Sequence, residues 1–264
     1  MHNDINTVKH IIKTAAIDEL LSRFSKVKKQ LKTDGSIVTQ SDLAMQKRIS
    51  RELLAKFPLS IVLSEEMTRE EQNSAIHSDM PIWCLDPLDG TSNYAAGIPY
   101  FAVSLSLIHQ AKIIIGLVYD PIRDELFTAT EQEPALLNNK PLQCSRNITA
   151  LNQAIAIIDF KRLKNSLAVK LLQHQGFASQ RNFGASALDW CWLAANRGHV
   201  YLHGKQHIWD YSAGHYIFQK AGGYACTLDE EPVFIPQLNS RSVMAAVNLP
   251  LYNKWKNWIN GSNA

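Results

Sequence analysis

The chain has few cysteines, no long apolar run and little excess charge, and each of these absences excludes a class of protein. Its four cysteines form no CxxC or CxxH pair, so we expect reduced thiols rather than a disulfide framework or a zinc site. No segment reaches about 18 consecutive apolar residues, the length that a membrane-spanning helix needs. The first residues lack the basic region and apolar core of a secretory signal, so we expect a cytoplasmic protein.

The charge balance is also small. The 27 Lys and Arg residues against 24 Asp and Glu residues give a net charge of +3, which does not by itself indicate a nucleic-acid or membrane-binding protein. A hydrophobic content of 46% over 264 residues excludes a disordered chain. The length allows one large domain or two closely packed halves, and no change in composition marks a linker.

Helical and strand patterns alternate along the chain, which predicts a mixed αβ protein. The predicted helices are Val8–Phe24, a helix from Ser41 or Asp42 to Pro58, Leu163–Gln175, a helix from Ser186 to about Asn196, Asp210–Ala221 and Leu251–Ile259. The predicted strands are Ser60–Leu63, Pro81–Leu85, Phe101–Ile108, Lys112–Tyr119, Glu125–Ala129, Ala154–Ile158 and His199–His203.

Local signals add four details to this outline. The polar segment Glu70–Asp79 is predicted to be a surface loop or hairpin, and Asn138-Asn139 a hairpin turn, since Asn tolerates positive φ. Ser186 and Asp189 have the spacing of a capping box. In the second helix, the apolar residues expected to face inward are Leu43, Ile49, Leu53 and Phe57.

Acidic residues follow three of the apolar runs: Glu65-Glu66, Asp86 with Asp89, and Asp210. A carboxylate beside a core is costly unless a cation compensates it. Hard divalent cations such as magnesium take oxygen ligands of this kind. The sequence therefore suggests a magnesium site, although Glu65-Glu66 alone would be typical of a solvated pair.

The segment Asp86–Thr91 indicates how the ligands of such a site would be arranged. Pro87 fixes φ between Asp86 and Asp89, so the two carboxylates can converge on one ion or two, with the Leu88 carbonyl between them. Gly90-Thr91 follows at once, and glycine permits close approach of the backbone to an anion. Metal ligands and a phosphate-binding turn are thus adjacent in the sequence.

These residues resemble the signatures of the inositol monophosphatase family. Four segments match in family order: Val38-Thr39-Gln40-Ser41-Asp42, Ser64-Glu65-Glu66, the nine residues Asp86–Tyr94, and Trp209-Asp210-Tyr211-Ser212-Ala213-Gly214 with Ala221-Gly222-Gly223. The nine-residue segment Asp-Pro-Leu-Asp-Gly-Thr-Ser-Asn-Tyr is highly specific. The resemblance extends from residue 32 to residue 223.

The resemblance implies an α+β fold with layered αβαβα architecture, in which residues 1–264 form a single domain of two packed halves with a boundary near 140–150. It implies a phosphoric monoester hydrolase that uses two or three Mg²⁺ ions to activate water, is inhibited by lithium, and forms a homodimer. The expected substrate is a small polyol phosphate, most of all inositol-1-phosphate. Neither a membrane nor a nucleic-acid substrate is expected.

The resemblance also implies roles for individual residues. Glu65, Asp86 and the Leu88 carbonyl would hold the first metal; Asp86, Asp89 and Asp210 would hold the second. Glu65, Thr91 and Asp42 would orient and deprotonate the attacking water, and the Gly90 and Thr91 amides would bind phosphate. We interpret the Thr91 hydroxyl as a group that positions water, because threonine is a poor nucleophile without a base. Lys32 matches a family lysine only loosely.

Six residues are expected to contact the substrate: Asp89, Gly184, Ala185, Ser186, His203 and Asp210. His203 lies seven residues before Asp210. By resemblance, this position corresponds to a glutamate in the inositol-specific members of the family. A neutral histidine offers one acceptor where glutamate offers two oxygens. We therefore expect substrate choice to depart from strict inositol specificity.

Other functions within the superfamily remain open at this point. The chain also resembles 3′(2′),5′-bisphosphate nucleotidases at Leu63–Glu66 and Ile208–Asp210, although Ser92-Asn93-Tyr94 is closer to the inositol phosphatase form. Fructose-1,6-bisphosphate and histidinol phosphate are further candidate substrates. A protein of a different class, an RNA- or transcription-associated binding protein on the same fold, is also possible from the sequence.

Overall fold

In the part of the chain that the structure describes, two large β-sheets of seven and five strands alternate with three layers of helices, and a separate two-stranded sheet lies in the N-terminal part of the sequence. The computed structural model describes residues 5–24, 29–31, 37–174 and 176–261. The layered αβαβα arrangement expected from the sequence is confirmed. Within the described part of the chain, no helix combines the length and the apolar character needed to cross a bilayer. All four cysteines are buried and free.

The N-terminal helices form the first layer. Helix α1 spans Ile5–Ala15 and continues as a π-helical turn, Ala16–Leu21, where a single helix was predicted. Strands β1 (Lys29–Leu31) and β2 (Ile37–Thr39) pair antiparallel and lead into α2, Gln40–Lys56. The prediction that Leu43 faces inward is wrong: it is 51% exposed, whereas Ile49 and Leu53 are fully buried.

A seven-stranded sheet forms the second layer, and its strands follow one another in chain order. They are β3 (Ile61–Ser64), β4 (Ile82–Asp89), β5 (Ala102–His109), β6 (Lys112–Asp120), β7 (Glu125–Thr130), β8 (Leu136–Leu137) and β9 (Lys140–Pro141). Strands β3 and β4 are parallel, and the remaining pairs are antiparallel. Asn138 and Asn139 form the turn between the last two strands with φ of 48° and 65°, as predicted.

The segment between β3 and β4 corrects a prediction. Glu70–Asp79 was expected to be a loop or hairpin, but residues Arg69–Ile76 form helix α3. The Thr68 side chain accepts a hydrogen bond from the Glu71 amide, and the Glu71 carboxylate accepts one from the Thr68 amide. This reciprocal cap satisfies free backbone groups at the helix start. The polar composition concealed a short helix with one buried face.

The second sheet has five strands in the order β11-β10-β12-β14-β13. They are β10 (Ile155–Asp159), β11 (Ser179–Arg181), β12 (Val200–Gln206), β13 (Tyr224–Cys226) and β14 (Arg241–Ala246). The remaining helices are α4 (Thr91–Ala96), α5 (Asn165–Gln173), α6 (Ser186–Ala194), α7 (Ile208–Lys220) and α8 (Leu249–Asn260), with 3₁₀ turns at Leu151–Gln153 and Phe160–Arg162. Helix α5 is shorter than predicted; Gln175 lies outside the described residues.

Helices α6 and α7 lie between the two sheets, and α5 and α8 cover the outer face of the second. Strand β5 shows how the first sheet packs against the helices on its two sides. Its large residues, such as Leu105, face α1 and α2, while Ser104 and Ser106 face α7, where they hydrogen-bond to the Trp209 carbonyl and the Ser212 hydroxyl. Both faces of this strand are buried: large residues such as Leu105 lie on one face, and the small residues Ser104 and Ser106 lie on the other.

Candidate active site

A cavity of about 360 Å³ opens where the two sheets and the starts of α4, α6 and α7 meet. Ten of the residues predicted from the sequence line it: Glu65, Asp86, Leu88, Asp89, Gly90, Thr91, Gly184, Ser186, His203 and Asp210. Of the other two described predictions, Asp42 is buried behind Thr91, and Ala185 packs beneath Gly90 instead of facing the cavity. Lys32 lies outside the described residues.

The end of β4 places the two central carboxylates. The pairing of β4 with β5 is regular as far as Asp86, shifts register over the next two residues, and resumes at Asp89. The Leu88 amide donates a hydrogen bond to Asp86 Oδ1 at 3.0 Å. This turn is the consequence of proline within the strand, which cannot donate to the ladder. Both carboxylates and the Leu88 residue therefore face the same cavity.

Gly90 is required at the next position for two reasons. Its φ is +89°, and a Cβ built there would lie 3.1 Å from both the Ala185 Cβ and the Tyr100 carbonyl oxygen. A side chain would thus be strained and crowded. The glycine brings the backbone of Gly90-Thr91 to the cavity wall, where its amides are available to an anion.

The Thr91 hydroxyl is held between two acceptors. It lies 2.9 Å from the Leu88 carbonyl oxygen and 3.1 Å from Asp42 Oδ1. The other oxygen of Asp42 accepts hydrogen bonds from the amide and hydroxyl of Thr39, at 2.8 Å and 2.5 Å. Burial raises the pKa of Asp42 above its ordinary value, against the opposing effect of these hydrogen bonds. Asp42 is thus a fixed acceptor behind the cavity wall.

Asp89 has a structural task that the sequence did not reveal. The predicted capping box of Ser186 and Asp189 is wrong: the N-cap of α6 is Ala185, which has no capping side chain. The Asp89 carboxylate, 98 residues earlier, accepts a hydrogen bond from the Ala187 amide at 2.6 Å. A carboxylate at this point is favoured by the unpaired amides of the helix start. Asp189 instead accepts a hydrogen bond from the Tyr100 hydroxyl at 2.9 Å.

Two further carboxylates enter from β3 and α7. Glu65 follows β3 directly, and Gln72 of α3 holds this corner by donating to the Ser64 and Glu65 carbonyl oxygens. Asp210 lies in the first turn of α7, as predicted, and accepts a hydrogen bond from the His207 amide at 2.8 Å. We refer to Glu65, Asp86, Asp89 and Asp210 as the carboxylate floor.

The electrostatics of the carboxylate floor reflect uncompensated negative charge. Burial, and then the negative charges of Glu65, Asp89 and Asp210, hold the pKa of Asp86 well above its usual range. Burial and Asp210 do the same to the pKa of Asp89. For Asp210, burial and the charge of Glu65 raise the pKa to about 7. Asp86, Asp89 and Asp210 therefore need a cation if all three are to be charged at neutral pH.

The donor chemistry of the floor fits magnesium. Every donor is an oxygen, from carboxylates and the Leu88 backbone, which is the ligand set of hard divalent cations. Among the described residues, no three His, Cys, Asp or Glu side chains are already drawn together tightly enough to hold an ion. The pKa values of Asp86, Asp89 and Asp210 are nevertheless raised by burial and by neighbouring carboxylates, so these acids lie close enough to influence one another.

Asp159, Lys161, Arg162 and His203 form another part of the cavity lining, which we call the outer wall. Strands β10 and β12 pair Asp159 with His203. His203 Nε2 lies 3.1 Å from Asp159 Oδ2, and its Nδ1 accepts a hydrogen bond from the Lys205 amide. Burial alone would raise the pKa of Asp159, but the His203 hydrogen bond and charge and the nearby Arg162 lower it overall.

His203 therefore lines the cavity, as expected, but with both ring nitrogens engaged by the protein. Six residues of the cavity were missed from the sequence: Ser92, Asp159, Lys161, Arg162, Asn182 and Asp189. Asp159 ends a predicted strand in the same manner as Asp86, and that signal could have identified it. Lys161 and Arg162 then follow at once, whereas nothing local distinguishes Asn182.

Comparison with known proteins places this geometry in a family. The sequence model of the inositol monophosphatase family matches residues 3–260. The chain is similar to Nus factor SuhB of Haemophilus influenzae, with 32% identity over 221 residues, covering 82% of this chain and 81% of that one. It is also similar to inositol monophosphatase 1 of Solanum lycopersicum, with 33% identity over 194 residues, covering 71% and 70%. The crystal structure of inositol monophosphatase II from Staphylococcus aureus superimposes with a TM-score of 0.82 at 26% identity, covering 98% and 97%.

Proposed function

The chain belongs to the inositol monophosphatase family, and from this premise we propose that it is a magnesium-dependent phosphomonoesterase acting on a small polyol phosphate, with inositol-1-phosphate as the leading substrate. The observation that supports the proposal most directly is the carboxylate floor beside the Gly90-Thr91 turn, in one cavity. A site for divalent cations next to backbone amides suits a phosphate dianion.

The four carboxylates of the floor and the Leu88 carbonyl would hold magnesium. When bound, magnesium neutralises the charge of the phosphate and lowers the pKa of bound water. The raised pKa of Asp86 and Asp210 agrees with acids that are fully ionised only when such a cation is present.

The protein's own contribution is orientation and proton acceptance. The Thr91 hydroxyl, fixed between the Leu88 carbonyl and Asp42, would hold the attacking water in line with the phosphorus. Glu65 would accept its proton. The Gly90 and Thr91 amides would bind phosphate oxygens, which fixes the phosphate against the floor.

The leaving group would face Asp89, Gly184, Ser186, His203 and Asp210. Asp89 keeps only part of its hydrogen-bonding capacity for substrate, because one oxygen accepts from the Ala187 amide. His203 is committed to Asp159 and the Lys205 amide. Recognition of ring hydroxyls would then fall mainly to Ser186, which lines the cavity.

A phosphate-release panel tests the proposal. The substrates are inositol-1-phosphate, glycerol-2-phosphate, histidinol phosphate, fructose 1,6-bisphosphate and adenosine 3′,5′-bisphosphate, each assayed with Mg²⁺. We expect release from at least the polyol phosphates. Release from none of them would contradict the proposed activity.

From the family membership, we also propose that the enzyme is inhibited by lithium, forms a homodimer and is located in the cytoplasm. The floor position formed by Asp86, Asp89 and Asp210 would accept a small monovalent cation and delay phosphate release. We expect uncompetitive or mixed inhibition when lithium is titrated at fixed Mg²⁺. Weak sites for monovalent cations fill at concentrations on the order of tens of millimolar. Full activity at such lithium concentrations would contradict the proposed lithium site.

A second candidate function is an RNA- or transcription-associated binding role on the same fold. It is favoured by the similarity to proteins named Nus factor SuhB. Titration of the chain with structured RNA at physiological salt tests it, and Asp86→Asn separates the two roles. A binding role predicts unchanged RNA affinity in that variant, whereas absence of binding in the wild type would remove this candidate.

A further inference from the structure

The outer wall presents two cations to the cavity in addition to the acids that the proposed function uses. Lys161 and Arg162 lie in the 3₁₀ turn after β10, and both line the cavity while remaining exposed to solvent. Within the described part of the chain, neither side chain forms an ion pair or hydrogen bond. A polyol monophosphate offers no second negative charge for them.

The backbone of this turn is fixed, so the two cations are placed by the fold. Asp159 Oδ1 accepts a hydrogen bond from the Lys161 amide at 2.8 Å. Gly204 of β12 lies against the turn so closely that a Cβ built there would be 1.6 Å from the Arg162 carbonyl oxygen. Only glycine allows this approach. The turn thereby rests directly on the strand that carries His203.

In the outer wall, the single carboxylate of Asp159 does not neutralise the two cations Lys161 and Arg162. Asp159 immediately precedes the turn, and both of its oxygens are engaged, one by the Lys161 amide and the other by His203. Both cations line the same cavity as Asp210, so a substrate held by the carboxylate floor occupies the space that they border.

We propose that Lys161 and Arg162 form a subsite for a second phosphate group, so that the enzyme also accepts bisphosphorylated sugars or nucleotides and hydrolyses them faster than the matching monophosphates. This inference rests on the proposed phosphomonoesterase activity. The carboxylate floor receives the scissile phosphate with its cations, and the outer wall receives the other phosphate directly. Arginine suits this task because its planar guanidinium matches two phosphate oxygens, with lysine as a mobile point charge beside it.

Matched substrate pairs test the proposal. Fructose 1,6-bisphosphate is compared with fructose 1-phosphate, and adenosine 3′,5′-bisphosphate with adenosine 3′-monophosphate, so that the cleaved ester is the same within each pair. We expect kcat/KM to be at least tenfold higher for the bisphosphate in one of the pairs. The preference should shrink with added salt, because exposed charges are screened.

The variant Lys161→Gln/Arg162→Gln should reduce the ratio of kcat/KM between bisphosphate and monophosphate by at least tenfold, mainly through KM. Lys164→Gln is the matched control. Lys164 is an exposed cation three residues beyond Lys161 that does not line the cavity, so its loss should leave the ratio unchanged. Arg162→Lys should retain part of the preference, which separates a charge contact from a structural role.

The outcomes distinguish this inference from the proposed function. If the wild type hydrolyses the monophosphates equally well and the double variant has the same ratio, the second-phosphate site is refuted and the phosphatase stands. If no substrate is hydrolysed, the proposed function fails, and calorimetric titration of wild type and double variant with each bisphosphate decides the site. Equal affinity in the two proteins would then overturn it.

Discussion

The carboxylate floor and the outer wall face the same cavity but are built differently. In the floor, Asp86 and Asp89 are buried and Glu65 and Asp210 are half-buried. Backbone amides donate hydrogen bonds to the carboxylates of Asp86, Asp89 and Asp210. The outer wall has exposed cations on a short turn and a His203–Asp159 pair between two strands. This difference suggests that the floor sets the reaction and the wall sets the substrate.

The largest expected effect comes from the floor. Asp86→Asn removes the carboxylate that would be shared by two cations, so we expect phosphate release at saturating substrate to fall about 10³-fold or more. The control is Glu66→Gln, which changes a neighbouring acid outside the floor. A similar loss in both variants would contradict the special position of Asp86.

Thr91→Ala should have the next largest effect. It removes the hydroxyl that lies between the Leu88 carbonyl and Asp42, and we expect kcat to fall about 10- to 100-fold with little change in KM. Thr91→Ser keeps the hydroxyl and should retain most of the activity. Equal loss in both variants would indicate a packing role for the threonine methyl group.

A smaller effect is expected at the wall. His203→Glu replaces the partner of Asp159 by a second carboxylate, which repels Asp159 and weakens the positive charge of the turn. We expect the ranking of inositol-1-phosphate, glycerol-2-phosphate and adenosine 3′,5′-bisphosphate to change by about tenfold in kcat/KM, against the bisphosphate. An unchanged ranking would show that His203 has no part in specificity.

The smallest effect is on stability. Burial raises the pKa of Asp189 to about 8 and, with Glu65, that of Asp210 to about 7. Both lie above the unfolded value of 3.8, so the folded state binds more protons and stability falls as pH rises from 4 to 8.

In chelator we therefore expect Tm to fall by about 5 °C between pH 5 and pH 8. Asp189→Asn should reduce this fall, and Mg²⁺ should largely abolish the part due to Asp210. Calorimetry at the two pH values measures it. A Tm that is higher at pH 8 in chelator would mean that the buried acids are ionised without a cation.

The sequence could predict the floor because its residues stand in local patterns. Asp86 and Asp89 flank a proline at a strand end, Asp210 begins a helix, and the matching segments resemble one family. The layered fold followed from that resemblance, and it is confirmed. The extent of the domain over residues 1–264 stays a prediction.

The sequence could not predict contacts that depend on distant pairing. The Asp159–His203 pair follows from the register of two parallel strands. The N-terminus of α6 is capped by Asp89, which accepts a hydrogen bond from the Ala187 amide 98 residues later in the chain. Helix α3 was missed for a local reason, since the reciprocal cap of Thr68 and Glu71 was available in the sequence. Composition outweighed that signal.

The central claim is that the carboxylate floor works only with a divalent cation. The most direct measurement is phosphate release from inositol-1-phosphate with Mg²⁺, after excess chelator, and after Mg²⁺ is restored. The account predicts that activity is lost in chelator and recovered on restoration, and that Asp86→Asn recovers little. Full activity of the wild type in excess chelator would contradict it.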